Sequence, residues 1–313
     1  MDSFVAGFNL VSNHLYLVLM PMGLDVLLWL GPRVGVSELL ERRFLTWTRQ
    51  AGELSPSALS SLVTFQTLVM DAARQQNLLS ILSTLPVGLP SMMAWKGGRQ
   101  TPFGAAWDVQ LASEGGAALF CLGCVLVGLA LGCIYFSLLA RMTAFSLPRW
   151  RWRLVVGQFL QSLILTGILL ALLLLAGVPA LLLLMVAASL SVEMAGFLTV
   201  LLAAGGLFLF FPLIFTVQGL FVTGLAAADA LYMSMILVRR CLPGVGLFVL
   251  MALLLAQGLD MLWKSSASDS WLLFMGIGAR AFIYTAILAA SFIYYRSGLM
   301  MLAQQSRPRW KLI

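Results

Sequence analysis

Several stretches of this chain run for about 20 residues without a charge, the length a helix needs to cross about 30 Å of hydrocarbon. Leu, Ala, Gly and Phe dominate them. Hydrophobic residues fill 61% of the 313 positions and charged residues only 10%, against about 45–50% and about 25% in soluble domains. The sequence therefore predicts an all-α, polytopic integral membrane bundle, a single membrane domain over residues 1–313.

Six spans are expected. The first runs from about Leu15 to Leu30, is short, carries Pro21 and Asp25, and stops at Gly31 and Pro32. The others cover Gly115 to Ala140, Leu154 to Ala176, Met194 to Gly224, Leu247 to Trp263 and Trp271 to Tyr295, with a kink expected at Pro212. Pro179 to Leu190 reads as a short lead-in to the fourth span, re-entrant or lying against the bundle. No basic n-region or small-residue cleavage site marks the start, so the first span is expected to be retained.

Arg141, Arg149, Arg151, Arg153, Arg239, Arg240, Arg296, Arg307, Arg309 and Lys311 share one side if both termini are cytoplasmic. The opposite connections, Gly177 to Glu193 and Lys264 to Ser270, hold a single Lys between them. Trp29, Trp150, Trp152, Trp263, Trp271 and Trp310 fall at span ends, as interfacial aromatic belts do. The net charge of +7 thus reports topology, and with no basic groove carrying exposed aromatics, nucleic acid is not an expected partner.

Residues 33–114 are the soluble-looking insertion between the first two spans, placed outside the cytoplasm or at the interface. Val36, Leu39, Leu40, Phe44 and Trp47 recur at helical spacing opposite Glu38, Glu41, Arg42 and Arg49. Ser55 and Pro56 open a second helix with Leu62, Phe65 and Val69 on one face. Both read as amphipathic helices that cap the bundle or lie on the membrane.

The run Ala226-Ala227-Ala228-Asp229-Ala230-Leu231, then Ser234 and Leu237-Val238-Arg239-Arg240 ahead of a new apolar span, resembles the amphipathic connection of a group of six-helix bacterial membrane proteins. That largely uncharacterised group is related to the membrane domain of some glycerophosphodiester phosphodiesterases. The opening, with Asn13, Pro21, Asp25 and Trp29-Leu30-Gly31-Pro32, is similar to N-termini in the same set. The resemblance covers about a fifth of the chain. It implies a multi-pass protein of the bacterial cytoplasmic membrane and no catalytic residues. With about eighteen residues after the last span, no room is expected for the soluble phosphodiesterase domain of some relatives.

Ionisable groups within spans cost about 2.5–3.5 kcal/mol at the centre, so each is a candidate for function. Arg280, Asp260, Asp25 and Glu193 form the candidate intramembrane polar cluster in the outer half of the bundle. At 1.5 Å per residue, Arg280 lies roughly 13 Å below Trp271, Asp25 about 6–9 Å deep and Asp260 about 5 Å. Arg280 is expected to pair with Asp260 or Asp25, either to fix helix register or to bind an anion or lipid headgroup in an outward-open cavity.

His14, the only histidine, suits the interface, and its distance from the thiols of Cys121, Cys124 and Cys133 argues against a metal site. Gly123, Gly128 and Gly132, with Cys121 and Cys124, form a small-residue face suited to close helix contact. HExxH, GxSxG and phosphate-loop signatures are absent, and no cofactor is called for. Below Arg280 the spans offer only neutral groups, among them Gln158, Gln161, Ser162, Thr166, Thr216 and Gln218.

Three functions remain open. The missing signatures and the resemblance favour a non-catalytic membrane module or partner subunit, in contact with the bilayer and other membrane subunits. Six spans with both ends inside also fit the permease of an ATP-driven exporter of lipid-like or apolar substrates, with Asp229, Arg239 and Arg240 as the docking surface for a separate ATPase. A lipid-directed enzyme is the third.

Overall fold

The computed structural model describes residues 2–50, 56–83, 86–96, 100–143, 152–264 and 270–305. Arg149, Trp150, Arg151, Arg307, Arg309, Trp310, Lys311, Ser55 and part of the connection after Lys264 lie outside the described residues.

Helices account for about 85% of the structure. The chain opens with α1 (Asp2–Asn13), an element the sequence reading did not assign, and α2 (Tyr16–Leu30), bent by 82° at the junction. His14 sits in that bend, its Nδ1 3.0 Å from the Leu10 carbonyl and its ring edge-on to Tyr16. The insertion comprises β1 (Arg33–Gly35), α3 (Ser37–Gln50), α4 (Pro56–Gln75), a 3-10 turn over Leu78–Ser83, α5 (Met93–Lys96), β2 (Gln100–Thr101), β3 (Gly104–Ala105) and β4 (Asp108–Gln110). Helices α6 (Glu114–Thr143), α7 (Trp152–Leu190), α8 (Val192–Phe210), α9 (Thr216–Thr223), α10 (Ala227–Arg240), α11 (Leu242–Lys264) and α12 (Leu272–Gln305) complete the chain.

By length and composition, α6, α7, the α8–α9 stretch and α12 are each apolar enough to cross a membrane. The bent pairs α1–α2 and α10–α11, the second turning through 100°, raise the number to six if each is one span. Pro212 produces the expected break, as a 3-10 turn at Phe211–Leu213 between α8 and α9.

Pro179 does not behave as the sequence suggested. Residues 179–190 continue α7 without a turn, making one helix of 39 residues. A proline removes one backbone hydrogen bond, but the Ala- and Leu-rich residues beyond it are strong helix formers and offer the backbone no alternative partner. The chain turns instead at Ser191, whose extended backbone and Oγ, accepting from the Met194 N–H at 3.1 Å, start α8.

The core lies where α2, α6, α9 and α12 meet. Gly7 lets α1 cross α12 so closely that a Cβ there would stand 2.6 Å from the Ala286 carbonyl oxygen and 2.7 Å from the Ala290 nitrogen. Met22 reaches Gly278 and Trp29 meets Trp271 edge-on, so α2 runs antiparallel along α12. Phe4, Phe248, Tyr294 and Phe215 stack in succession at one end of the bundle.

Helix α6 buries Cys124, Gly128 and Gly132, but the partner differs from the expected one: Gly132 abuts the Val87 and Gly88 backbone of the insertion, while Gly123 faces open space. The insertion is thus wedged into the bundle by its 86–93 segment, where Val87, Leu89, Met92 and Met93 are buried. It is also clasped at its base, because β1 pairs in parallel with β4. Asn77 Oδ1 accepts from Val34 and Leu79, and Arg33 donates to the Gln75 carbonyl. The two short strand pairs were not anticipated. Phe44 is buried against Trp47 and Phe65, as the helical spacing predicted, and Arg43 ties α3 to Glu114 at the head of α6. The bonded Glu114 carboxylate raises the Arg43 pKa further above its usual value.

Candidate functional site

Helices α11 and α12 bring Asp260 and Arg280 together. Both side chains are 16% exposed, and Arg280 Nη1 lies 3.2 Å from Asp260 Oδ1. That oxygen receives no aligned hydrogen bond, so the contact is one of charge. Tyr284, one helical turn beyond Arg280, supplies the directional link: it accepts from Arg280 Nη2 at 3.1 Å and donates to Asp260 Oδ2 at 3.4 Å. The guanidinium carbon also sits 4.6 Å from the centre of the Tyr284 ring. The spacing of four residues between Arg280 and Tyr284 was visible in the sequence, but a tyrosine in an apolar helix is not by itself a signal.

Asp25 has a different role. Its carboxylate is 1% exposed and accepts from Ser91 Oγ at 2.5 Å, from Met92 N at 2.9 Å and from Met93 N at 2.9 Å. Ser91 Oγ in turn accepts from Ala94 N at 3.1 Å. These are the free N–H groups at the head of α5, so Asp25 on α2 caps a helix from another part of the chain and anchors the 86–93 segment. Arg280 acts on it electrostatically without an ion pair. Ser91 and the backbone of Met92 and Met93 were missed, because nothing local announces a cap whose acceptor lies 66 positions away.

Beside these groups opens a cleft of about 610 Å³. Arg280, Tyr284 and Leu288 form one wall, Phe136 of α6 another, and Ser80, Ser83, Pro90 and Ser91 of the insertion the rim. Glu193 lies elsewhere: it is exposed in the first turn of α8, where an acidic residue complements the helix dipole, and it forms no ion pair among the described residues.

At the opposite end, Arg239 and Arg240 finish α10 and are exposed; Asp229 occupies its first turn. Arg296 caps α6 by donating to the Thr143 carbonyl at 3.1 Å.

Several neutral polar groups of the apolar helices hold helices together. Gln158 accepts from Ser137 at 2.7 Å, Gln161 from the Ala227 N–H at 2.9 Å and Ser162 from the Cys133 thiol at 3.3 Å. Gln218 bonds Ser291 at 2.8 Å, and Thr166 and Thr216 donate to carbonyls of their own helix or turn. Among the described residues no three His, Cys, Asp or Glu side chains gather closely enough to hold a metal ion.

Protein-family models, curated proteins and solved structures were compared with the chain, and none matches it.

Proposed function

We propose that this chain is a six-span integral protein of the bacterial cytoplasmic membrane, with both termini on the cytoplasmic side. In this reading it acts as a non-catalytic membrane module, of the kind the resemblance implies, that holds a phospholipid headgroup in the outward-facing cleft beside Arg280. The observation that carries the binding role is the partly open guanidinium of Arg280, which keeps N–H groups beyond those given to Asp260 and Tyr284. Because Asp260 already neutralises it, the site offers a charge pair rather than a bare cation. A zwitterionic headgroup, with its phosphate on Arg280, suits that arrangement better than a free polyanion.

The topology rests on the Arg and Lys of the short connections in the sequence and on the many large apolar side chains that α7 and α8 leave exposed, which a bilayer would solvate. The bonding of Gln158, Gln161 and Gln218 between helices supports a module over an ion-coupled carrier.

Affinity purification of the tagged chain in mild detergent, with mass spectrometry of the accompanying protein and lipid, tests this. The expected result is co-purifying phosphatidylethanolamine, reduced about tenfold in Arg280→Gln and largely restored in Arg280→Lys. Equal lipid in the wild type and both variants would remove the binding role and leave Arg280 as a structural partner of Asp260. A stoichiometric ATPase would replace the module with the exporter.

A further inference from the structure

A second cleft, larger than the first, lies at the end of the bundle that carries Arg239. It measures about 730 Å³ and is walled by Ala204 and Phe208 of α8, Pro212 of the 3-10 turn, Met235 of α10 and Leu242 of α11, with Arg239 at its edge. Its existence follows from two breaks in the chain. Pro212 ends α8 before it can close on α10, and the 100° turn between α10 and α11 swings α10 away from the axis of its neighbour.

Two features of this groove point to the same class of occupant. The lining is hydrophobic except for one group, so it suits a hydrocarbon chain and no polar solute. That one group, Arg239, has no hydrogen bond or ion pair to any described residue, and neither has its neighbour Arg240. A guanidinium whose donors bond no described residue, beside an apolar trough, is complementary to an amphiphile with an anionic head.

We propose that this groove binds an anionic phospholipid, with an acyl chain along Phe208 and Met235 and the phosphate on Arg239. The inference rests on the membrane reading, which puts the groove on the cytoplasmic leaflet, where anionic lipids are enriched. It differs from the Arg280 cleft in charge: there the guanidinium is already paired with a carboxylate, and here no described carboxylate pairs with it. The same surface is the one a separate ATPase would use, but a concave apolar trough with a single cation at its edge is the shape of a lipid site rather than of a protein footprint.

The test uses the full chain, extracted from carbonate-washed membranes into mild detergent. Native mass spectrometry then follows binding of phosphatidylglycerol, of phosphatidylethanolamine and of glycerol phosphate as a head without a tail. One phosphatidylglycerol should be retained, and glycerol phosphate should neither bind nor compete. Arg239→Gln should lower that occupancy about tenfold, Arg240→Gln, outside the groove, should not, and Ala204→Trp, which fills the trough, should abolish it. Arg239 is exposed, so its variant remains informative if Ala204→Trp fails to fold. Equal occupancy in the wild type and Arg239→Gln overturns the proposal, as do equal losses from Arg239→Gln and Arg240→Gln, which would mark general surface charge. Binding of glycerol phosphate alone, or an ATPase seated on α10 that excludes lipid, also overturns it. A chain released into the soluble fraction by carbonate would instead sink the membrane reading itself.

Discussion

Helices α7 and α12 are both long and apolar, yet they are packed in opposite ways. The most hydrophobic window of α7 has none of its residues buried, while 39% of the corresponding window of α12 is buried, although α12 is the less hydrophobic helix. Hydrophobicity therefore does not decide which helix forms the centre. In a bilayer, lipid tails are as apolar as leucine, and helices are drawn together by close backbone approach and by polar groups. Helix α12 supplies both: Ala286 and Ala290 admit α1 at Gly7, while Arg280, Thr285 and Ser291 bond to other helices. Along α7, Gly157, Gly167 and Gly177 face open space, and Gln158, Gln161 and Ser162 bond it to α6 and to the start of α10.

The contrast can be broken most forcefully at the insertion. Asp25→Ala would leave the buried N–H groups of Met92 and Met93 without an acceptor, and at about 1–3 kcal/mol for each such group the expected loss is about 2–6 kcal/mol. Denaturant-induced unfolding in detergent should register it, together with faster proteolysis within residues 86–96. Gly7→Leu comes next. It forces a side chain against the α12 backbone, a clash expected to cost about 1–3 kcal/mol.

A smaller effect is expected from Tyr135→Phe, which removes a 2.9 Å hydrogen bond to Thr285 between two buried side chains and should lower stability by about 1 kcal/mol. The weakest perturbation sharpens the comparison from the other side. Gly205→Leu on α8, where a Cβ would meet nothing within 4 Å, should change unfolding by less than about 0.5 kcal/mol. A large loss there would mean that α7 and α8 are covered by a partner rather than by lipid.

Much of the architecture was legible because its causes are local. Uninterrupted apolar length marked α6, α8, α11 and α12, Pro212 marked the break after α8, and the spacing of Val36, Leu40, Phe44 and Trp47 marked α3. Helix α1 was not legible, since twelve residues of mixed polarity become informative only when Gly7 is seen against α12. The turn expected at Pro179 failed because a proline weakens a helix without specifying what replaces it. At the candidate site, the juxtaposition of Arg280 with Asp260 could be anticipated from a short connection between neighbouring helices, and Tyr284 and Ser91 could not.

The sequence by itself determined that the chain is built from long apolar helices and which few residues carry charge within them. Those properties follow from length, periodicity and composition. Tertiary structure alone decided that Asp25 caps α5 while Asp260 takes Arg280, that Glu193 stands apart, and that the 86–93 segment rather than a helix fills the small-residue face of α6. Those choices depend on which backbone N–H groups and which charges remain without a partner once the helices have packed, a condition that no single segment carries.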